Sequence, residues 1–422
     1  MSEPAYTQEA VQDYPLEAVP AHARHSAASL YFLLLGFTFF TATMWGGGRI
    51  GVAFPFWPDL VGIIVTGNLL LGAYVAALAF ISYRSGLNTV LLARFAFGEQ
   101  GSRLMDTLLG FTQIGWYAWG TATIASVAVE LAGWNPMWKY ACMPVFGLAF
   151  CWTAYIGYRG LEILSYVAVP LMTALILWSI AIATDTAGGL SGLLQLKPEE
   201  HLTAAEAITI VFGTFASGGT QVTNWTRFAR TGRTAVLAGL SAFTIGNGLM
   251  IFMGAYGAMI YAEPDVVRVL TLQGLLLPGV IMLFLNIWTT QDNTIYNFSV
   301  AGCNLLRTEK RRLITVLGAV VGTVLALLGM DAYLTEFLLL LGTFIPPIGG
   351  VLMGDFLLRK SVYPHPGQAG NPVLRWSGLL AYLGASIAAY LAGRLQWGIP
   401  PLLGVALAFG LTILFGWIGR RQ

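Results

Sequence analysis

The sequence predicts an all-α polytopic membrane protein of about twelve transmembrane helices. Three observations predict it. Hydrophobic residues make up 56% of the 422 residues and charged residues only 10%. Apolar runs long enough to span a bilayer, about twenty residues each, recur along the whole chain. The basic residues, finally, fall asymmetrically between the two sides that those runs define.

The apolar runs lie near 28–52, 58–83, 104–132, 139–157, 162–184, 205–229, 235–261, 273–299, 313–330, 333–358, 374–394 and 398–419. With the N-terminus placed inside, 17 of the 22 Lys and Arg residues collect on the inner side and 5 on the outer side. The outer five are Arg49, Lys139, Lys197, Arg268 and Arg394. A miscounted helix would scramble this bias, so the count supports an even number of spans with both termini cytoplasmic. Residues 1–27 are polar and Pro/Ala-rich without an apolar core, which reads as a solvated cytoplasmic tail and not a signal peptide. A net charge of +2 gives no reason to expect a nucleic-acid partner. The cysteines (Cys142, Cys151, Cys303) lack metal-ligand spacing, and all four histidines lie outside the apolar runs.

Two spans are interrupted by small and hydroxylated residues at mid-membrane. The first reads Leu35–Thr41 and then Gly46–Gly48; the sixth reads Gly213–Thr220. Unwound backbone is tolerated at that depth only where it is buried or lines a cavity. Spans one and six are equivalent positions of a five-plus-five inverted repeat, the pattern of a transporter with a midplane site. The competing explanation is close helix packing through small residues. On this reading residues 28–360 form the repeat core, and 361–422 supply a cytoplasmic loop and two C-terminal helices.

The third span carries Gln113 and Trp116 one helical turn apart, with Tyr117 adjoining. An amide beside an indole suits a flat polar heterocycle, because the indole stacks while the amide both donates and accepts. The eighth span places Asn286, Thr289 and Thr290 on one face at i, i+3, i+4. Neutral oxygens of this kind suit a hard monovalent cation, although threonine hydroxyls also bond back to the preceding turn. Asp292 is the one acid well inside a central span; it could tune the cation site or cap neighbouring backbone, but pairing with an inner-side arginine such as Arg227 is the favoured expectation. No phosphate-binding loop of the G-x-x-x-x-G-K-[ST] type and no hydrolytic constellation is present, so neither an ATP-driven pump nor an enzyme is expected.

Several segments taken together resemble the nucleobase–cation symporter-1 family and its bacterial cytosine-carrying branch. They are Leu35–Phe40 with Met44 and Trp45, Leu92–Phe95 with Phe97 and Gly98, Thr112–Trp116, Leu285–Thr290 with Asp292 and Asn293, and Ile345–Val351. The resemblance covers nearly all of residues 24–360. It implies the LeuT-type broken-helix fold in a bacterial inner membrane, with the lipid bilayer as its surroundings. It also implies sodium-coupled import of a nucleobase, cytosine foremost. Proton coupling, or carriage of a hydantoin, allantoin or thiamine precursor, remains the alternative on the same fold. By the same resemblance, Gln113 bonds the base, Trp116 and Phe215 stack on its two faces, and Thr214, Ser217 and Gly36 complete the substrate set. The sodium ion is held by carbonyls of Gly36, Phe39 and Asn286 and by the hydroxyls of Thr289 and Thr290. Departures from that branch at Thr214, at Tyr117–Trp119 and at Gly218–Asn224 lie beside the pocket and bear on which base is carried.

Overall fold

The computed structural model describes residues 13–197, 202–359, 363 and 371–418. Every apolar run becomes a helix or a broken helix, and the twelve are called segments one to twelve here. Six helices are long and apolar enough to cross a membrane by themselves, and the bent pair Ala27–Thr38 and Thr41–Gly51 makes a seventh. Segments three (Gly101–Leu131) and eight (Leu276–Leu306) are longer still. They carry the polar residues of the interior, such as Gln113 and Asn286, on buried faces. One face of segments five, nine and eleven keeps large apolar side chains exposed, among them Val167, Leu317 and Ile387. An apolar exterior around a polar centre is what a lipid solvent requires.

Segment one starts at Ser26, whose hydroxyl accepts from the amide of Ser29. It breaks at Phe39 and Phe40, where the backbone leaves helical geometry and the two halves meet at 54°. Segment six begins with a capping box in which Thr203 and Glu206 satisfy each other's amides. It ends its first helix at Thr214, turns through Phe215, and resumes as the short helices Ala216–Thr220 and Thr223–Thr226. Both interruptions thus fall where the small-residue runs predict them. The packing explanation also holds for part of segment one. A Cβ on Gly47 or Gly51 would lie 2.2 or 2.1 Å from a carbonyl oxygen of segment seven (Asn247–Tyr261). Those glycines therefore bring two backbones together, while the break itself lies several residues earlier.

The N-terminal residues differ from the solvated tail expected of them. Asp13, Tyr14 and Val19 are buried. The Asp13 carboxylate pairs with Arg311 at 2.8 Å, and Arg227 donates to the carbonyls of Tyr14 and Asp13 at 2.6 Å each. Asn88 donates to the Pro15 carbonyl, and the Val19 amide bonds to Gly86. The reason is that the helix ends packed on these residues carry buried cations and open carbonyls, which need partners once water is excluded. Residues 13–19 supply those partners, so they form a docked strap; residues 1–12 lie outside the described set.

The same contacts correct the pairing expected for Asp292. Arg227 is occupied by the strap and by the Asn224 carbonyl. Asp292 is fully buried, takes a hydrogen bond from Asn293 Nδ2 at 3.0 Å, and has no ion-pair partner among the described residues.

Candidate substrate and cation sites

The two broken segments converge with segments three and eight on one small cavity. Phe37, Phe40, Gln113, Trp116, Thr214, Phe215, Gly218, Thr290 and Thr294 line it. Its volume is about 10 Å³, near the lower bound for holding a single water. Of the expected substrate residues, Gln113, Trp116, Thr214 and Phe215 stand in this wall.

The helical spacing of segment three aims Gln113 and Trp116 into the cavity together. Gln113 Nε2 donates to Ser217 Oγ at 2.7 Å, and Thr112 Oγ1 bonds the same hydroxyl at 2.5 Å. Ser217 therefore stands behind Gln113 and orients its amide. Trp116 is boxed by Phe40 and Phe337, with ring centroids 5.3 and 5.2 Å away, both edge-on. Phe215 is held edge-on by Phe37 at 5.2 Å and by Phe243 at 5.6 Å. These perpendicular neighbours fix both rings in the cavity wall. Thr214 donates to the Val211 carbonyl at 2.7 Å and accepts from Asn247 Nδ2 at 3.2 Å. Gly218 is glycine because a Cβ there would meet the Phe37 ring at 2.7 Å.

Beside this cavity, the unwound turn of segment one faces segment eight. Thr290 Oγ1 lies 3.3 Å from the Phe37 carbonyl, 3.4 Å from the Phe39 carbonyl and 3.1 Å from the Asn286 carbonyl. Thr289 Oγ1 donates to the Asn286 carbonyl at 3.1 Å. Asn286 is in turn fixed by Thr41, whose hydroxyl donates to its Oδ1 at 2.6 Å. The arrangement gathers neutral oxygens from two segments, the donor type that hard cations take. Gly36 packs its Cα on segment five, where a Cβ would sit 2.5 Å from Ser165 Oγ. Sequence reasoning missed Phe37, Phe40 and Thr294, whose apolar or back-bonding character carries no site signature. It also missed Thr41, although the Thr41–Asn286 bond fixes the turn.

On the face opposite the strap, a second cavity of about 590 Å³ opens between segments one, three, six and ten. Trp45, Arg49, Trp119, Glu130, Glu206 and Asp265 are among the residues lining it.

Comparison with known proteins shows the family and the fold. Residues 18–366 match the family model described as permease for cytosine/purines, uracil, thiamine and allantoin. The cytosine permease of Escherichia coli K12 is 36% identical over 93% of this chain and 92% of its own length. Among solved structures, Mhp1, a nucleobase–cation-symport-1 family transporter in a closed conformation with bromovinylhydantoin bound, superposes with a TM-score of 0.82 at 19% identity. The match covers 96% of each chain. A Na+-coupled sialic acid symporter in a substrate-bound outward-open state shares the fold at a TM-score of 0.69 and 11% identity. That match covers 98% of this chain and 93% of the symporter. These relatives are transporters and not enzymes, and the fold is theirs. The chain belongs to the family of permeases for cytosine/purines, uracil, thiamine and allantoin.

Proposed function

We propose that this protein imports a nucleobase, cytosine foremost, across the inner membrane of a bacterium, coupled to sodium and working by alternating access. In this reading Gln113 bonds the ring edge, Trp116 and Phe215 stack on its faces, and Thr214 lies within reach of a further polar edge. Sodium takes the carbonyls of Phe37, Phe39 and Asn286 with the hydroxyls of Thr289 and Thr290. The strap marks the cytoplasmic face, and the cavity lined by Trp45 and Trp119 opens outward.

One observation carries the coupling. Thr290 lines the substrate cavity while its hydroxyl reaches the carbonyls of the unwound turn, and Phe37 contributes its ring to the cavity and its carbonyl to the turn. A ligand pressing on Phe37 and a cation bound at its carbonyl therefore bias the same backbone conformation. Two ligands that favour one state raise each other's affinity, by roughly 1–3 kcal/mol in typical cases. The similarity to the cytosine permease of E. coli, at 36% identity, supports cytosine over the other heterocycles. The test is uptake of labelled cytosine into proteoliposomes under an inward sodium gradient, with uracil and hypoxanthine as competitors. Uptake driven by the gradient and blocked best by unlabelled cytosine is the expected result. Uptake indifferent to sodium and driven by a proton gradient overturns the ion assignment.

A further inference from the structure

One side chain touches both the outer cavity and the walls of the substrate cavity. Trp119 lines the outer cavity, where it meets Trp45 edge-on at 5.4 Å. Its other contacts are with the substrate cavity's own walls: Phe40 at 5.5 Å and Trp116 at 6.4 Å, both edge-on. The indole is nearly buried between them. It follows Trp116 by one helical turn, so the rigid helix of segment three presents both indoles to the same region. The space on its two sides is very unequal, about 590 Å³ outside and about 10 Å³ inside.

We propose that Trp119 is the outer lid of the substrate cavity and sets the ring size that it accepts. The inference rests on the proposed function, since it presumes that the inner cavity takes a heterocycle. When the ligand stacks on Trp116, the ring that extends toward the outer face meets the Trp119 indole. A single ring fits beneath the indole and lets it close against Phe40. A fused second ring occupies the indole's place and holds the lid open, which leaves the ligand in contact with the outer cavity. Trp119 thus acts through the closure of Phe40 and Trp116, and it is a positioning and selectivity residue without a hydrogen bond to the ligand.

Trp119→Val and Trp119→Phe separate this role from packing. Binding of labelled cytosine is measured on purified full-length protein at saturating sodium, with hypoxanthine and adenine as competitors. Trp119→Val is expected to raise the affinity ratio of bicyclic to monocyclic base at least tenfold and to speed cytosine release. Trp119→Phe, with a smaller ring, is expected to move the ratio the same way by less. A purely structural side chain would weaken all bases together and leave the ratio unchanged. An unchanged ratio in both variants overturns the proposal while cytosine binding by the wild type preserves the proposed function. Should Trp119→Val fail to fold, the ratio in Trp119→Phe decides alone. Wild-type protein that binds none of the three bases overturns the functional reading and the lid with it.

Discussion

Gln113 faces the cavity with its amide already hydrogen-bonded to Ser217, so a ligand meets an oriented group and not a mobile one. Holding a polar group in place before binding reduces the ordering that binding must supply. Gln113→Leu removes the ring-edge partner and is expected to weaken binding of the best substrate by more than tenfold, in line with about 1–3 kcal/mol for an unsatisfied buried partner. Equal binding by the mutant would reduce Gln113 to a packing amide. Trp116→Ala removes the stacking face between Phe40 and Phe337 and is expected to abolish binding while the protein remains folded and membrane-inserted. Uptake at near wild-type affinity would sink the stacking role. His25 offers a pH test just before segment one. It stacks on Tyr158 at 4.0 Å, and burial there holds its imidazole below the usual value of 6.5, against the opposing pull of Glu162 and Asp13. Because the folded state resists the proton that the unfolded chain accepts, this group's contribution is present above pH 6.5 and is lost as pH falls below it. His25→Phe keeps a ring in the stack without a proton to take up. Its melting temperature should fall less between pH 7.5 and pH 5.5 than the wild type's, and parallel curves would rule the effect out.

The elements were legible where composition constrains them and illegible where tertiary contact decides. The apolar runs became helical, and Leu35–Thr41 and Gly213–Thr220 contain the two breaks, because small residues at membrane depth are rarely placed without a structural reason. The turn proposed to hold the cation was half legible. Asn286, Thr289 and Thr290 were visible from their helical spacing, whereas any residue can offer a carbonyl, so nothing in its side chain singled out Phe37. The strap was hidden for a related reason. Residues 13–19 carry no helical or strand periodicity in isolation, and it is the buried Arg227 and Arg311, together with Asn88 and Gly86, that make docking favourable. Both members of the Asp13–Arg311 pair are at least nine-tenths buried. Arg311→Ala would leave a buried carboxylate unpaired, a loss of about 3–5 kcal/mol in comparable cases. The expected readout is a lower melting temperature together with faster proteolysis near residues 13–19. A variant as stable and as protease-resistant as the wild type would show the strap to be held by its backbone contacts alone. Gly51→Ala should destabilise as well, since a Cβ there would sit 2.1 Å from the Ala255 carbonyl.

For the whole molecule, the proposed substrate and cation sites form one device. The unwound turn of segment one joins them, with the ring of Phe37 on the substrate side and its carbonyl on the cation side. Segment eight supplies Thr290 to both. The strap closes one face, and Trp119 stands between the cavity and the other. The most direct test is to titrate substrate binding at several sodium concentrations, with choline replacing sodium at constant ionic strength. The account predicts that cytosine affinity rises with sodium, and that Thr289→Ala or Thr290→Ala raises the sodium concentration needed for half-maximal binding. A cytosine affinity that ignores sodium and follows a pH gradient would contradict it and move attention to Asp292 as the site of a carried proton.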